Sequence, residues 1–277
     1  MRPATLAIIG LEAIGVSLAR QARRAGVPRV IGYSPIPATA VRALKAEAIS
    51  DMALSPEQVV RDANLIVIAA RSSDTIRLVA SLAAHAPSDA FLTDVASVKV
   101  PVCRAATVHG LTERFAGSHP LPRSGEHATD LFRHAVVYVC PTDPVRGEPA
   151  ARQIMHFWSE VMEAAPVLIA AERHDQQIAW TRHLPQAVSS VLAKTLAERG
   201  LGGLSFGSGA RDVTRLAASS PEEWADLLID NAEPVLEALA ETECELTGLT
   251  ALLEARDAGK LRDYLQRAAD FRRGLAG

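Results

Sequence analysis

Two short segments carry hydroxyl, ammonium and imidazole groups at the edges of apolar runs. In DVASVKVP, residues 94–101, Asp94 closes the run AFLTDV, and Ser97 and Lys99 follow before Pro101. In GSHPLP, residues 117–122, His119 sits between a serine and a proline. A third segment, HDQQIAWTRHLPQ at 174–186, reads as helix kinked by Pro185. On that helix Ala179, His183, Gln186 and Ser190 follow i, i+4, i+7, i+11 and share one face, a narrow polar stripe on a mostly apolar rod. A fourth, RDVTRLAASSPEEW, sets Arg211 and Arg215 one helical turn apart. Imidazole, hydroxyl, amide and two guanidiniums together suit a pocket for a small di-acid with one ionisable hydroxyl.

The elements that must position these groups alternate in the first half of the chain. TLAIIG, RVIGY, NLIVIAA and AFLTDV read as buried strands, with AVVYVCP a later one. IGVSLARQARRAG, ATAVRALKAEA, a short helix opened by Ser55-Pro56-Glu57, and SSDTIRLVASLAAH read as helices between them. Apolar strands alternating with helices imply a doubly wound parallel sheet of Rossmann type, whose ligands bind at the carboxyl ends of the strands. Asp94, Ser97 and Lys99 then lie at such an end, and the GSHP segment lies on the following crossover. From about residue 149 the pattern changes to EPAARQIMHFWSEVMEA, a helix, and PVLIA, one more short strand. After Glu172 only helices are expected, at 173–199, 208–219, 222–254 and 257–274. The expected organisation is a dinucleotide-binding domain over 1–166 and an all-helical substrate and dimerisation domain over 167–277.

The turn after the first strand is Gly10-Leu11-Glu12-Ala13-Ile14-Gly15. In the dinucleotide fingerprint the first glycine makes the turn, the second lets pyrophosphate approach the backbone, and the third permits close helix packing. Gly10 and Gly15 fit, whereas Glu12 brings a side chain and a negative charge to the middle position. A like charge at about 4 Å costs roughly 1 kcal/mol in water and about 4 kcal/mol at an effective dielectric of 20. At the end of the second strand Ser34 stands where NAD-binding domains usually carry an acid for the ribose hydroxyls. Its presence removes repulsion against a 2′-phosphate, so NAD and NADP both remain open, with Arg42 and Arg71 as the cations within reach.

The bulk composition narrows the class. The chain has 277 residues, 48% hydrophobic and 22% charged, with a formal net charge of −3. That is a globular composition with no basic surface for nucleic acid or anionic membrane. Cys103, Cys140 and Cys244 lack metal or disulfide spacing and read as free thiols. No signal peptide or apolar run of transmembrane length is read in the sequence, so the expectation is a cytoplasmic protein without a metal. The Ala- and Leu-rich faces of the last helices exceed what one small domain can cover against itself, which predicts a homodimer.

In this order, TLAIIGLEAIGVSLA, TDVASVK, GSHPLP, HDQQIAWTRHLPQ and RDVTRLAASSPEEWADLLIDN resemble the prephenate/arogenate dehydrogenase family over residues 5–231. The resemblance implies a Rossmann domain with a helical dimerisation domain, and NAD(P)-dependent oxidative decarboxylation of a cyclohexadienyl di-acid or amino acid in tyrosine-type biosynthesis. It implies that His119 takes the proton of the substrate hydroxyl and that Ser97 holds the same hydroxyl and the nicotinamide side. Arg215 would pair with a substrate carboxylate, with His183, Gln186, Arg211 and Glu126 also on the substrate. Gly10, Leu11, Glu12, Ala13, Ile14 and Gly15 would line the pyrophosphate, and Ser34, Ala70 and Arg71 the rest of the cofactor.

The sequence departs from the family pattern at Glu12 and Ser34, at Arg71 in a segment lacking the usual proline, at Arg123, at Arg182, and at Gln186 in place of a second histidine. Two alternatives therefore stand beside prephenate or arogenate: the same chemistry on an analogue such as 4-amino-4-deoxyprephenate, and a relative with lost or altered activity. A more distant rival, the β-hydroxyacid dehydrogenases, uses a helix lysine, for which Lys194 is the only counterpart and no fitting glycine motif precedes it.

Overall fold

The computed structural model describes residues 2–122, 130–201 and 206–275. The first four expected strands form, as β1 (Thr5–Ile9), β2 (Arg29–Tyr33), β4 (Leu65–Ile68) and β5 (Phe91–Asp94). A two-residue strand β3 (Asp51–Met52), too short to read from pattern, completes a parallel sheet of order β3-β2-β1-β4-β5. The register pairs Thr5 with Arg29 and Ile68 with Asp94, so the strands end together at the edge where Gly10, Ser34, Ala70 and Ser97 follow. Helices α1 (Ala13–Arg24), α2 (Pro37–Lys45), α3 (Pro56–Val60), α4 (Ser72–Leu82) and α5 (Val100–Val108) connect them.

Alternation along β1 splits the core across the sheet. Leu6 and Ile8 join Leu11, Leu18 and Trp158 on one face, and Ala7 and Ile9 join Val79, Leu82 and Val102 on the other. Every residue of β4 is buried, the signature of a central parallel strand, and each fully buried Leu, Ile or Val contributes about 1.5–3 kcal/mol.

Beyond β5 the topology departs from simple alternation. GSHPLP is not a crossover: Ala116–Leu121 forms strand β6, tied beside β5 by a parallel bridge between Leu92 and Phe115. It pairs antiparallel with β7 (Val136–Pro141), placing His119 opposite Tyr138, and β7 pairs parallel with β8 (Ala165–Leu168). Helix α6 (Glu148–His156) ends in a π-helical turn over Phe157–Val161.

The expected helix at 173–199 is three pieces: α7 (Ala171–Ile178), a π-helical turn at Ala179–His183, and α8 (Leu184–Glu198). Pro185 has no N–H to give back, which explains the break one turn earlier. The expected helix at 222–254 is also split, into α10 (Pro221–Asp230) and α11 (Ala232–Glu254), with Asn231 between them. Helices α9 (Ser208–Thr214) and α12 (Ala258–Gly274) complete the chain, α9 continuing into a 3-10 turn at Arg215–Ala218. By packing, residues 1–178 with 219–231 form one compact unit, and 179–218 with 232–277 another. No helix among the described residues is long and apolar enough to cross a membrane.

Candidate active site

The glycine turn is built as its sequence requires. Gly10 has φ +99°, a left-handed value, and a Cβ there would lie 2.1 Å from the Ala69 carbonyl oxygen. A Cβ on Gly15 would lie 1.8 Å from the carbonyl oxygen of Gly10 itself, so both positions demand glycine. Helix α1 starts at Ala13, and the amides of Ala13, Ile14 and Gly15 belong to its first turn, where no intrahelical acceptor exists and an anion is favoured. Leu11 turns its side chain into the core, leaving only its backbone to face a phosphate. Glu12 occupies the helix-capping position in extended conformation, makes no capping hydrogen bond and is exposed, so water surrounds its carboxylate.

Beside this turn a cavity of about 380 Å³ is walled by Ile9, Gly10, Tyr33, Pro35, Ala70 and Asp74. Ser34 is buried, and its hydroxyl accepts the Ile36 amide at 3.2 Å, which fixes the bend after β2 without placing a carboxylate there. Among the described residues no ion pair joins Arg71 to Glu12. The charge acting with Arg71 is Glu222 of α10, whose carboxyl is lowered mainly by the first-turn amide and the Ser220 hydroxyl, with Arg71 adding to it. Arg42 gives its guanidinium to the Thr39 hydroxyl at 3.1 Å. A glycine cradle over a helix N-terminus, opening beside a cavity, fits a dinucleotide.

The β5 edge is organised by a buried ion pair. Asp94 and Lys99 are both fully buried, and the ammonium meets the carboxylate and donates to the Ser118 carbonyl at 2.7 Å. The carboxylate also accepts the amides of Ala96 at 2.9 Å and Ser118 at 3.2 Å. Burial pushes the Asp94 carboxyl up, while the Lys99 ammonium and the two amides pull it down. A Cβ on Gly117 would press on the Lys99 stem at 3.1 Å, so the glycine of GSHP clears room for the lysine. Lys99 is thus a strut between β5 and β6, closed off from any ligand. Ser97 lies half-buried between the two ends of that strut.

His119, next to Ser118 on β6, is buried, and its Nδ1 lies 3.0 Å from Nε2 of His174. His174 Nδ1 in turn lies 2.7 Å from Asp175 Oδ1. The Asp175 carboxylate accepts the amides of Lys99 at 2.8 Å and Val100 at 2.7 Å, capping helix α5 from α7. Tyr138 sets its ring edge against His174, with centroids 5.4 Å apart, and its hydroxyl accepts from Gln177 at 2.6 Å. The Asp175 carboxylate thus caps a helix other than its own, and His174 reaches across to His119. The strand register that brings His119 to His174 is the signal a sequence lacks.

In the second unit, Ala179, His183 and Gln186 are buried along one face as expected, but Ser190 is exposed and Ser189 turns inward instead. Gln186 Nε2 donates to the Leu216 carbonyl at 2.9 Å, and Ser189 Oγ donates to that of Val213 at 2.8 Å while accepting the Ala217 amide at 3.2 Å. These bonds clamp the turn that presents Arg215, and Gln186 Oε1 finds no partner among the described residues. Arg215 is exposed and carries no ion pair among the described residues; Arg211, also exposed, gives Nε to the Phe206 carbonyl at 3.2 Å. Glu126 and Arg123 lie outside the described residues.

Two family models match this chain. Residues 18–165 match the nucleotide-binding domain of prephenate dehydrogenase, and 170–267 match its dimerisation domain. The chain belongs to the prephenate dehydrogenase family. It is 30% identical to prephenate dehydrogenase of Bacillus subtilis, covering 98% of this chain and 76% of that one. It is 27% identical to cyclohexadienyl dehydrogenase of Zymomonas mobilis, covering 98% and 95%. The crystal structure of prephenate dehydrogenase from A. aeolicus, in complex with hydroxyphenyl propionate and NAD+, superimposes with a TM-score of 0.86 at 24% identity, covering 98% of each chain. Membership makes the protein a nucleotide-using dehydrogenase of the aromatic amino-acid branch, and the Rossmann and helical parts expected from sequence are those of the family.

Proposed function

We propose that the protein catalyses NAD(P)-dependent oxidative decarboxylation of prephenate or arogenate. Residues 1–166 supply the dinucleotide site, and 167–277 the substrate and dimer contacts of a homodimer. The observation that carries the reading is His119, buried on β6 three strands from the glycine turn and backed by a second histidine and a carboxylate. This array holds the His119 ring in place at the β5–β6 edge, as a general base must be held to reach the proton it takes.

The bound dinucleotide supplies one capability, acceptance of a hydride from the ring carbon that bears the hydroxyl. His119 accepts the hydroxyl proton as that carbon becomes a carbonyl, and Ser97 orients the hydroxyl. Loss of the ring carboxylate as CO2 then sends its bonding electrons into the ring, which takes up a proton at the carbonyl oxygen to become a phenol. Arg215, exposed on a turn clamped by Gln186 and Ser189, pairs with a substrate carboxylate and draws the di-acid or amino acid in. Gly10 and Gly15 let the diphosphate approach, with Ala13, Ile14 and Gly15 amides facing it; Leu11 contributes backbone alone, and Ala70 walls the adenosine side. His183 holds the substrate from the helical part.

The family relatives act on prephenate or on cyclohexadienyl substrates more broadly, which supports this substrate class. The experiment is a titration with NAD+ and NADP+ by calorimetry, followed by prephenate and arogenate with absorbance of the reduced nicotinamide as readout. Saturable binding of one dinucleotide and its reduction on adding either substrate support the proposal. Binding without reduction by either substrate overturns it.

A further inference from the structure

We propose that His174 is a positioning residue that sets the ring tautomer of His119, through a linear Asp175–His174–His119 array. The inference rests on the reading of His119 as the base. His174 is fully buried, so its two ring nitrogens are served by protein groups rather than water. One of them, Nδ1, lies 2.7 Å from Asp175 Oδ1. That carboxylate already takes two backbone amides, Lys99 on Oδ1 and Val100 on Oδ2. It is an acceptor only, so the proton of the His174–Asp175 bond sits on His174 Nδ1.

A neutral imidazole with its proton on Nδ1 carries its lone pair on Nε2. Nε2 of His174 is the atom 3.0 Å from His119 Nδ1. The bond between the rings then requires the proton on His119 Nδ1, since the other tautomer would set two lone pairs face to face. His119 is left with its lone pair on Nε2, the nitrogen that must accept the substrate proton. When Nε2 takes that proton, the imidazolium keeps its Nδ1–H donated to His174, with the Asp175 charge behind it. The array is also rigid: Asp175 is anchored on the first turn of α5, Tyr138 packs edge-on against His174, and β7 fixes the register of His119.

Two readouts test this. Long-range nitrogen–proton correlation spectra of protein carrying isotope-labelled histidine report the His119 tautomer directly, without turnover. The expected result is a proton on Nδ1 in the wild type. A proton on His119 Nε2, as a doubly protonated His174 would impose, overturns the proposal. The kinetic readout compares two variants. His174→Gln carries a carbonyl near the place of Nε2 and keeps an acceptor for His119; His174→Asn reaches only the place of Nδ1, keeps a partner for Asp175 and loses that acceptor. The expectation is that kcat falls about a hundredfold in His174→Asn, with KM and dinucleotide affinity within a few-fold of wild type, and recovers most of the way in His174→Gln. Equal losses in both variants, or wild-type kcat in His174→Asn, contradict it. If the wild type oxidises neither prephenate nor arogenate, the functional reading fails, and the wild-type spectrum alone still decides the array.

Discussion

Glu12 is the residue that most separates this dinucleotide turn from a plain glycine fingerprint. Its exposed carboxylate near the diphosphate path repels through water rather than through protein, so its cost is at the small end, about 1 kcal/mol. Glu12→Gln is therefore expected to tighten dinucleotide binding by about fivefold at low salt and by less at high salt, as calorimetry at two ionic strengths will show. Unchanged affinity at low salt removes Glu12 from the account. Ser34 offers the complementary test. Because its hydroxyl only braces the backbone after β2, Ser34→Asp is expected to weaken NADP+ binding tenfold or more through repulsion of the 2′-phosphate, roughly as expected for like charges at a protein surface, and to spare NAD+. Equal losses for both dinucleotides would mean that the turn itself was disrupted.

At the scale of elements, the Asp94–Lys99 strut joins β5 to β6 and so fixes the spacing of Ser97 and His119. Removing one member leaves the other charged and buried, which typically costs about 3–5 kcal/mol, whereas replacing both with apolar residues costs much less. Denaturant unfolding should thus find Lys99→Met strongly destabilised and Asp94→Leu/Lys99→Met closer to wild type; equal destabilisation would mean that packing, not charge, holds the edge. On the helical side, Gln186→Leu frees the Leu216 carbonyl and loosens the turn that presents Arg215. The expected result is a raised KM with kcat little changed, and a kcat loss at constant KM would contradict it. These elements were unequally legible in sequence. Apolar four- and five-residue runs such as LIVI announce buried parallel strands, and Gly10 and Gly15 announce their turn, because those signals are local. GSHPLP is read as a crossover because glycine, serine and proline favour turns, and only pairing with β7 makes it a strand. The π-helical turn before Pro185 and the inward turn of Ser189 in place of Ser190 leave no local trace, and the His119–His174 contact joins residues far apart in sequence.

For the whole molecule, the helical unit exposes Leu236, Leu246 and Leu253 on α11 and Leu265 and Phe271 on α12. An apolar surface of this kind belongs in an interface, in accord with the match of this region to the family's dimerisation domain. Light scattering is expected to give a dimer at micromolar concentration, and Leu246→Glu/Leu253→Glu to shift it towards monomer; a monomeric wild type would contradict the homodimer. The claim on which the account turns is that His119 removes the hydroxyl proton in an oxidative decarboxylation. The most direct test follows reduced nicotinamide and CO2 together, with prephenate or arogenate, in the wild type and in His119→Asn. The account predicts one CO2 per hydride transferred in the wild type, and a loss of kcat of at least a hundredfold in His119→Asn with dinucleotide affinity retained. Nicotinamide reduction without CO2 release, or wild-type turnover in His119→Asn, would contradict it.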